Sequence, residues 1–366
     1  MTQFDVSVVM AVHNGERYLA QAINSVLCQT RKEFEFVIVN DGSTDETAAI
    51  LRAYAVADDR VCVLANSDRR GLAQCMNKAI AKSSGRFIAR MDADDIALPC
   101  RLAVQAETLD TYPGIAVVGS NAIIINEMNE RTGRTWVPQM PDTIRATCLV
   151  ENPFIHPSVM IRREVLTDLG LTYDETFPVT QDFRLWSQIL PTASGMNIER
   201  PLMFVRRHGA SVSVNNRSLQ HQMGLRVITD YGRRLLDEQC PTKDRFDLIK
   251  RGFLAGRADA DRAGVDRIDA CQLMLDLAAI VMTRDPTGDY KEYFGRIAWR
   301  CAKIGLLPPI KPGWLGLIAR LSRAMPALVG RGLHMASLRA RERFQNDDSN
   351  TIARLDASPG LADHFH

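Results

Sequence analysis

No run of uncharged apolar residues in this 366-residue chain reaches the roughly 18–20 that a helix needs to span a bilayer. The opening residues, Met1-Thr2-Gln3-Phe4-Asp5, lack the basic start and long apolar stretch of a signal peptide. The eight cysteines (Cys28, Cys62, Cys75, Cys100, Cys148, Cys240, Cys271, Cys301) contain no Cys-x-x-Cys pair, which speaks against a zinc ribbon or a short disulfide framework. Thiols scattered in this way read as small core residues in a reducing compartment. Net charge is also scarce, with 45 Lys and Arg against 43 Asp and Glu, which excludes an overall polycation built to coat nucleic acid. Neither G-x-x-x-x-G-K-[ST] nor G-x-G-x-x-G occurs, so P-loop hydrolysis and nicotinamide binding lack support. These absences predict a cytoplasmic protein that does not cross a membrane and binds no nucleic acid.

The remaining composition, 46% hydrophobic and 24% charged, is that of a globular protein. The length predicts one large α/β domain with an appendage. Apolar, β-branched runs at 5–12, 34–39, 61–64 and 87–91 read as buried strands, separated by stretches with helical apolar spacing. Such alternation implies parallel pairing with right-handed crossovers. Ser43 and Glu46 form an S-x-x-E pattern that predicts a capped helix through about Tyr54. Further on, 115–119, 122–125 and 158–161 look like strands and 182–190 like a short helix. Beyond about residue 216 the strand signals stop. The expected organisation is a catalytic domain over 1–215, a helical, basic region over 216–345, and a flexible tail over 346–366.

Charge is unevenly placed. Residues 296–344 hold ten basic residues and only Glu342 as an acid, a net +9 that leaves −7 for the rest. Apolar residues such as Trp314, Leu317, Leu321 and Leu328 lie among these cations. The stretch either docks on an anionic membrane surface, peripherally at the inner face of the cell membrane, or packs on the catalytic domain with its basic side in water.

In a parallel α/β sheet, ligands sit outside the carboxyl ends of the strands. Here those ends carry His13-Asn14, Asn40-Asp41-Gly42, Asp68-Arg69-Arg70-Gly71 and Asp92-Ala93-Asp94-Asp95. Three acids within four residues repel one another unless a cation lies between them, and hard carboxylate oxygens suit Mg²⁺ or Mn²⁺ shared with a phosphate. The other reading of this segment is an acidic turn capping the next helix. Arg69 and Arg70 can clamp a diphosphate, or form a solvated surface pair.

Taken in order, the segments Ser7-Val8-Val9-Met10-Ala11-Val12-His13-Asn14-Gly15 and Val39-Asn40-Asp41-Gly42-Ser43-Thr44-Asp45 resemble the family-2 glycosyltransferases. So do Gly71-Leu72 with Asn77, Met91-Asp92-Ala93-Asp94-Asp95, His156-Pro157-Ser158, Thr180-Gln181-Asp182-Phe183-Arg184-Leu185-Trp186 and Arg206-Arg207-His208, together spanning residues 4–215. The resemblance implies a GT-A fold, a mostly parallel nucleotide-binding sheet flanked by helices, here with a helical C-terminal extension. It implies an inverting hexosyltransferase that moves a sugar from a nucleotide-diphosphate donor, UDP by family weight, to a polysaccharide or lipid-linked glycan of the cell envelope.

The same resemblance places His13, Asn14, Asp41, Arg69, Arg70 and Asp92 at the nucleotide sugar. Asp94, Asp92 and His208 fall at an Mn²⁺ or Mg²⁺ ion, with Asp95 able to share either acidic role. Asp182 matches the catalytic base, the other reading being an N-cap of the helix that carries Trp186. The family frequently has Glu-Asp where this chain has Gln181-Asp182, so the base role falls on one carboxylate. His156 either faces the acceptor or packs at a strand start, and Trp186 is core or acceptor platform. Two other classes share the scaffold: a sugar-nucleotide pyrophosphorylase, and a non-catalytic protein binding sugar nucleotides or glycans. The Gly-rich basic loop of the former is absent, and the retained acids argue against the latter.

Overall fold

The structure, a computed structural model, describes residues 4–209, 217–254 and 267–284 together with positions 287, 288, 290, 293 and 297. Apart from position 297, the basic stretch 296–344 and its expected membrane surface lie outside the described residues. Among those described, residues up to 137 together with 153–223 make one compact unit, and residues 138–152 with those from 224 onward make a second.

The first unit opens with β1 (Val6–Val12), α1 (Leu19–Leu27), β2 (Phe34–Asp41), α2 (Thr47–Ala57), β3 (Val61–Asn66), α3 (Leu72–Lys82) and β4 (Phe87–Asp92). The four strands pair in parallel in the order β3-β2-β1-β4, with Val8 opposite both Phe36 and Ala89. Then come β5 (Ile96–Ala97), α4 (Arg101–Thr111), β6 (Ile115–Ile125) and β7 (Arg131–Arg134). Helix α5 (Pro141–Thr147) belongs to the second unit. The first unit resumes with β8 (Met160–Arg162), α6 (Arg163–Asp168), α7 (Gln181–Ile189) and β9 (Ser194–Arg206). These extend the sheet to β3-β2-β1-β4-β8-β6-β9-β5, with β7 added on β6. Strand β8 runs antiparallel to both β4 and β6, so β6, and β9 parallel to it, point the same way as β1 and β4. Among the described residues, α8 (Arg217–Leu236) carries the chain into the second unit, where α9 (Lys243–Leu248) and α10 (Arg267–Arg284) follow.

A strand has a side-chain period of two, and this parity decides what β1, β2 and β4 bury. Val6, Val8, Met10, Phe34, Phe36, Ile38, Phe87, Ala89 and Met91 all face one apolar cluster, filled from the other side by Leu19, Ile23 and Val26 of α1 and Leu102 and Leu109 of α4. Each of these side chains other than that of Ala89 contributes about 1.5–3 kcal/mol by leaving water. The opposite parity of the same strands holds Asp41, Arg90 and Asp92.

Two local expectations are corrected, and one strand had no sequence reading. The runs 115–119 and 122–125 are one strand, because the intervening Ser120 and Asn121 are buried with their polar groups matched. Ser120 N donates to Ser158 Oγ at 3.2 Å, and Asn121 Nδ2 donates to the Glu199 carbonyl at 2.8 Å. Strand β9 carries little strand signal because Glu199 and Arg200 bulge out of its pairing, between Ile198 opposite Ser120 and Pro201 opposite Asn121. The S-x-x-E box does not form: α2 starts at Thr47, Glu46 makes no side-chain cap, and Ser43 Oγ instead accepts from Asn14 N at 3.0 Å.

At the amino ends of the strands, Glu35 ties three segments together. Its Oε1 accepts from Ser7 Oγ at 2.7 Å, from both the amide and the hydroxyl of Ser84, and from Gly85 N at 3.3 Å. Burial pushes this carboxyl up, but the hydrogen bonds from Ser84, Ser7 and Gly85 outweigh it and hold the pKa below 4.5. A folded pKa below the unfolded one means stability that is present at neutral pH and lost as pH falls through the folded value. Glu35→Gln should therefore lower unfolding free energy by about 1–2 kcal/mol at pH 7. In urea titrations at successively lower pH the gap to the parent should close below pH 4.5; a gap unchanged by acid would contradict this account.

Candidate active site

Because β1, β2, β4, β6 and β9 run in one direction, their carboxyl ends reach the same sheet edge, and the chemistry-bearing residues cluster there. The first two βα loops interlock. Asn14, at φ +51, has its Oδ1 accept from Thr44 N at 2.9 Å, while Gly15 N donates to Thr47 Oγ1 at 2.9 Å and Glu16 N to Asp45 Oδ2 at 3.1 Å. A side chain at position 15 would collide with Val12, its Cβ falling 2.5 Å from a Val12 methyl. His13 Nδ1 lies 2.8 Å from the Asp41 carbonyl oxygen, which can only accept, so Nδ1 carries a proton.

Asp41 is buried and grips the third loop. Its Oδ1 accepts from Arg70 N at 2.7 Å and Asn66 Nδ2 at 2.9 Å, and its Oδ2 from Gly71 N at 2.8 Å. Burial pushes its pKa up, but these bonds prevail and hold it below the ordinary aspartate value. The loop so held presents Arg69 and Arg70 outward. Both side chains are exposed, and Arg70 Nη2 lies 2.9 Å from Asp68. Asn77, matched by the resemblance, bridges α3 to the loop between α6 and α7: its Oδ1 accepts from Tyr173 N and its Nδ2 donates to the Tyr173 carbonyl, both at 2.9 Å.

At the end of β4 the carboxylates of Asp92, Asp94 and Asp95 offer oxygens within 4.8 Å of one another. Arg90, two residues earlier on the same face of β4, pairs through Nη2 with Asp92 Oδ1. Arg206, at the end of β9, fixes the turn: its N donates to Asp95 Oδ1 and its Nε to the Asp94 carbonyl, each at 2.8 Å. Its guanidinium also binds the Asn126 carbonyl and Gln21, and lies 4.3 Å from the centre of the Tyr18 ring. His208 follows, its Nε2 2.9 Å from Asp94 Oδ2.

Burial raises the pKa of Asp92, opposed by Arg90 and reinforced by Asp94 and Asp182. Asp95 is raised further, by burial and then by Asp94 and Asp92. Its Oδ2 is buried without a hydrogen-bond partner. Three hard oxygen donors crowded together, one of them orphaned, with an imidazole alongside, fit a divalent cation such as Mn²⁺ or Mg²⁺.

Asp182 occupies the first turn of α7, and its charge acts on Asp92 and on Tyr173. The N-cap itself is Thr180, a β-branched residue at φ +59, a backbone conformation that is strained by about 1–3 kcal/mol and collects at functional sites. His156 Nε2 meets the Tyr173 hydroxyl at 2.9 Å. Burial, and then the charge of Arg90, holds the His156 imidazole well below the usual histidine range, so it is neutral. Trp186 is fully buried, its ring 5.5 Å from that of Phe154 and 6.4 Å from that of His156, so of its two sequence readings the structure displays core packing. The sequence reading passed over Arg90 and Tyr173. Arg90 left a signal, a charge inside an otherwise apolar strand; Tyr173 left none.

The family model described as "Glycosyl transferase family 2" matches residues 7–170. An uncharacterised glycosyltransferase of Haemophilus influenzae is 30% identical over 216 residues, covering 57% of this chain and 67% of that protein. The O-antigen biosynthesis glycosyltransferase WbnJ of Escherichia coli is 33% identical over 211 residues, covering 56% and 81% respectively. Among solved structures, residues 1–349 of S. aureus TarS superpose with a TM-score of 0.55 at 19% identity, over 82% of this chain and 88% of that one. That fold agreement matches the expected GT-A architecture, a mostly parallel sheet flanked by helices.

The Asp41 clamp generates a direct test. Asp41→Asn sets an amide where two backbone N–H groups need acceptors, which should destabilise the loop by about 1–3 kcal/mol. Hydrogen exchange at the Arg70 and Gly71 amides should then accelerate by about tenfold or more; unchanged protection would mean that Asp41 does not hold the loop.

Proposed function

Because the chain belongs to the family-2 glycosyltransferases, we propose that it moves a sugar from a nucleotide-diphosphate donor, a UDP-sugar, to a hydroxyl of a polysaccharide or lipid-linked glycan, inverting the anomeric carbon. The observation that carries this reading is the acid cluster at the end of β4, with Asp92, Asp94 and Asp95 within 4.8 Å of one another, and Asp182 in the first turn of α7 acting on Asp92 through its charge. A proton acceptor and a phosphate-binding acid cluster thereby share one sheet edge. Support for the donor class comes from TarS, which has been solved with UDP and with UDP-GlcNAc. Support for the acceptor class comes from WbnJ, named for O-antigen biosynthesis.

In this reading the Asp182 carboxylate removes the proton of the acceptor hydroxyl as its oxygen attacks the anomeric carbon. The bond from that carbon to the diphosphate oxygen breaks in the same displacement, which inverts the configuration. Gln181 beside it is neutral, so no second carboxylate shares the proton. His13 and Asn14, fixed by the interlocked loops, flank the nucleotide with Asp41, and the exposed Arg69 and Arg70 neutralise phosphate oxygens. Asp92 would face the ribose or help hold the metal. Asp94 and Asp92, with Asp95 and His208 beside them, would hold Mn²⁺ or Mg²⁺, which when bound neutralises charge developing on the departing diphosphate. A pyrophosphorylase or a non-catalytic binder is not retained, since the family is one of glycosyl transfer and Asp92, Asp94 and Asp95 stand together.

The test combines binding with turnover. A panel of sugar nucleotides with Mn²⁺ should raise the parent's thermal midpoint for its true donor, by mass action. Asp182→Asn should keep that shift while turnover falls about 10²–10⁴-fold, and Asp94→Ala should lose both. Undiminished turnover in the two variants would contradict the mechanism.

A further inference from the structure

Two buried arginines stand beside the acid cluster, and they differ in how their nitrogens are matched. Arg101, 1% exposed, has every guanidinium nitrogen partnered: Nε with Gln105 at 3.0 Å, Nη1 with Met91 Sδ at 3.4 Å, and Nη2 with the carbonyls of Arg90 at 2.6 Å and Val159 at 3.3 Å. All of its partners are neutral groups of the surrounding core and backbone. Arg90, 2% exposed, has one side-chain partner, the Asp92 carboxylate, and its Nε and Nη1 are buried with none. A guanidinium retained for stability would resemble Arg101, because buried N–H groups left unmatched are unfavourable.

We propose that Arg90 is a positioning residue of the transfer reaction, holding the Asp92 carboxylate in its working orientation and acting on the substrate only through it. The proposal rests on the glycosyltransferase reading given above. The ion pair runs from the dry interior toward the sheet edge, its Arg90 side chain 3% exposed and its Asp92 side chain 35% exposed. Arg101 fixes the backbone from which Arg90 reaches, by donating to the Arg90 carbonyl. Charge alone would be served by a lysine, but a planar fork also sets the angle of the carboxylate it meets. An unfavourable buried group whose one partner is a site acid is where a departure from folding rules is expected to serve function.

The experiment is a double-mutant cycle on the full chain, with thermal midpoints recorded alongside. Arg90→Met should fold and lower kcat/KM by about 10–100-fold. If Arg90→Met fails to fold, Arg90→Lys takes its place in the cycle. Combined with Asp92→Asn, it should lose no more than Asp92→Asn alone, because Arg90 acts through that carboxylate. Losses that multiply would overturn the proposal. Arg101→Met should lower the midpoint by about 5 °C or more and Arg90→Met by clearly less, since Asp92 can be hydrated once unpaired. An Arg90→Met midpoint as low as that of Arg101→Met would make Arg90 a stability residue and overturn the assignment. This comparison needs no substrate, so a parent without turnover would count against the donor reading while the midpoints still decide the role of Arg90.

Discussion

Repulsion among carboxylates at the carboxyl end of β4 is the constraint around which this sheet edge is built. Asp92, Asp94 and Asp95 lie within 4.8 Å of one another, and Asp182 adds its field from α7. Asp95 is buried, so water screens little of this. Two guanidiniums, Arg90 and Arg101, stand behind the acids, and burial together with the charge of Arg90 lowers the pKa of Arg101 to about 9, leaving it cationic at neutral pH.

The fold keeps these groups apart from their own tendency to scatter. Parallel strands bring separate chain segments to one edge, and each segment is then tied by polar bonds that a soft loop would not make. The loop after β1 interlocks with that after β2, Asp41 grips the loop after β3, and Arg206 binds the turn after β4 to the end of β9. Such ties fix positions before a ligand arrives, which is how a site limits the reorganisation needed when charge moves in the reaction.

Much of this was legible in the sequence, for physical reasons that differ by element. Strands β1 to β4 are short, apolar and β-branched between helices of clear periodicity, so both their existence and their parallel pairing could be read. The acids at 92–95 and Asp182 could be picked out as candidates because charge directly after a buried strand, or in register with a family pattern, is conspicuous. Strand β9 was hidden by a bulge at Glu199 and Arg200, and the continuity of β6 by Ser120 and Asn121, polar residues matched in part through Ser158 and Glu199, distant in sequence. Ser43 and Glu46 misled because neighbouring loops outcompeted the local cap. The pairing of Arg90 with Asp92 depends on strand parity and on what packs behind β4, neither of which a linear motif displays.

The central claim is that these acids converge on a cation opposite Asp182, and anomalous scattering from crystals grown with Mn²⁺ and a donor analogue tests it most directly. The account predicts a manganese peak about 2.0–2.3 Å from carboxylate oxygens of the 92–95 cluster, with Asp182 facing the same cleft. A bound donor with no such peak, or with Asp182 turned away from its anomeric carbon, would contradict it.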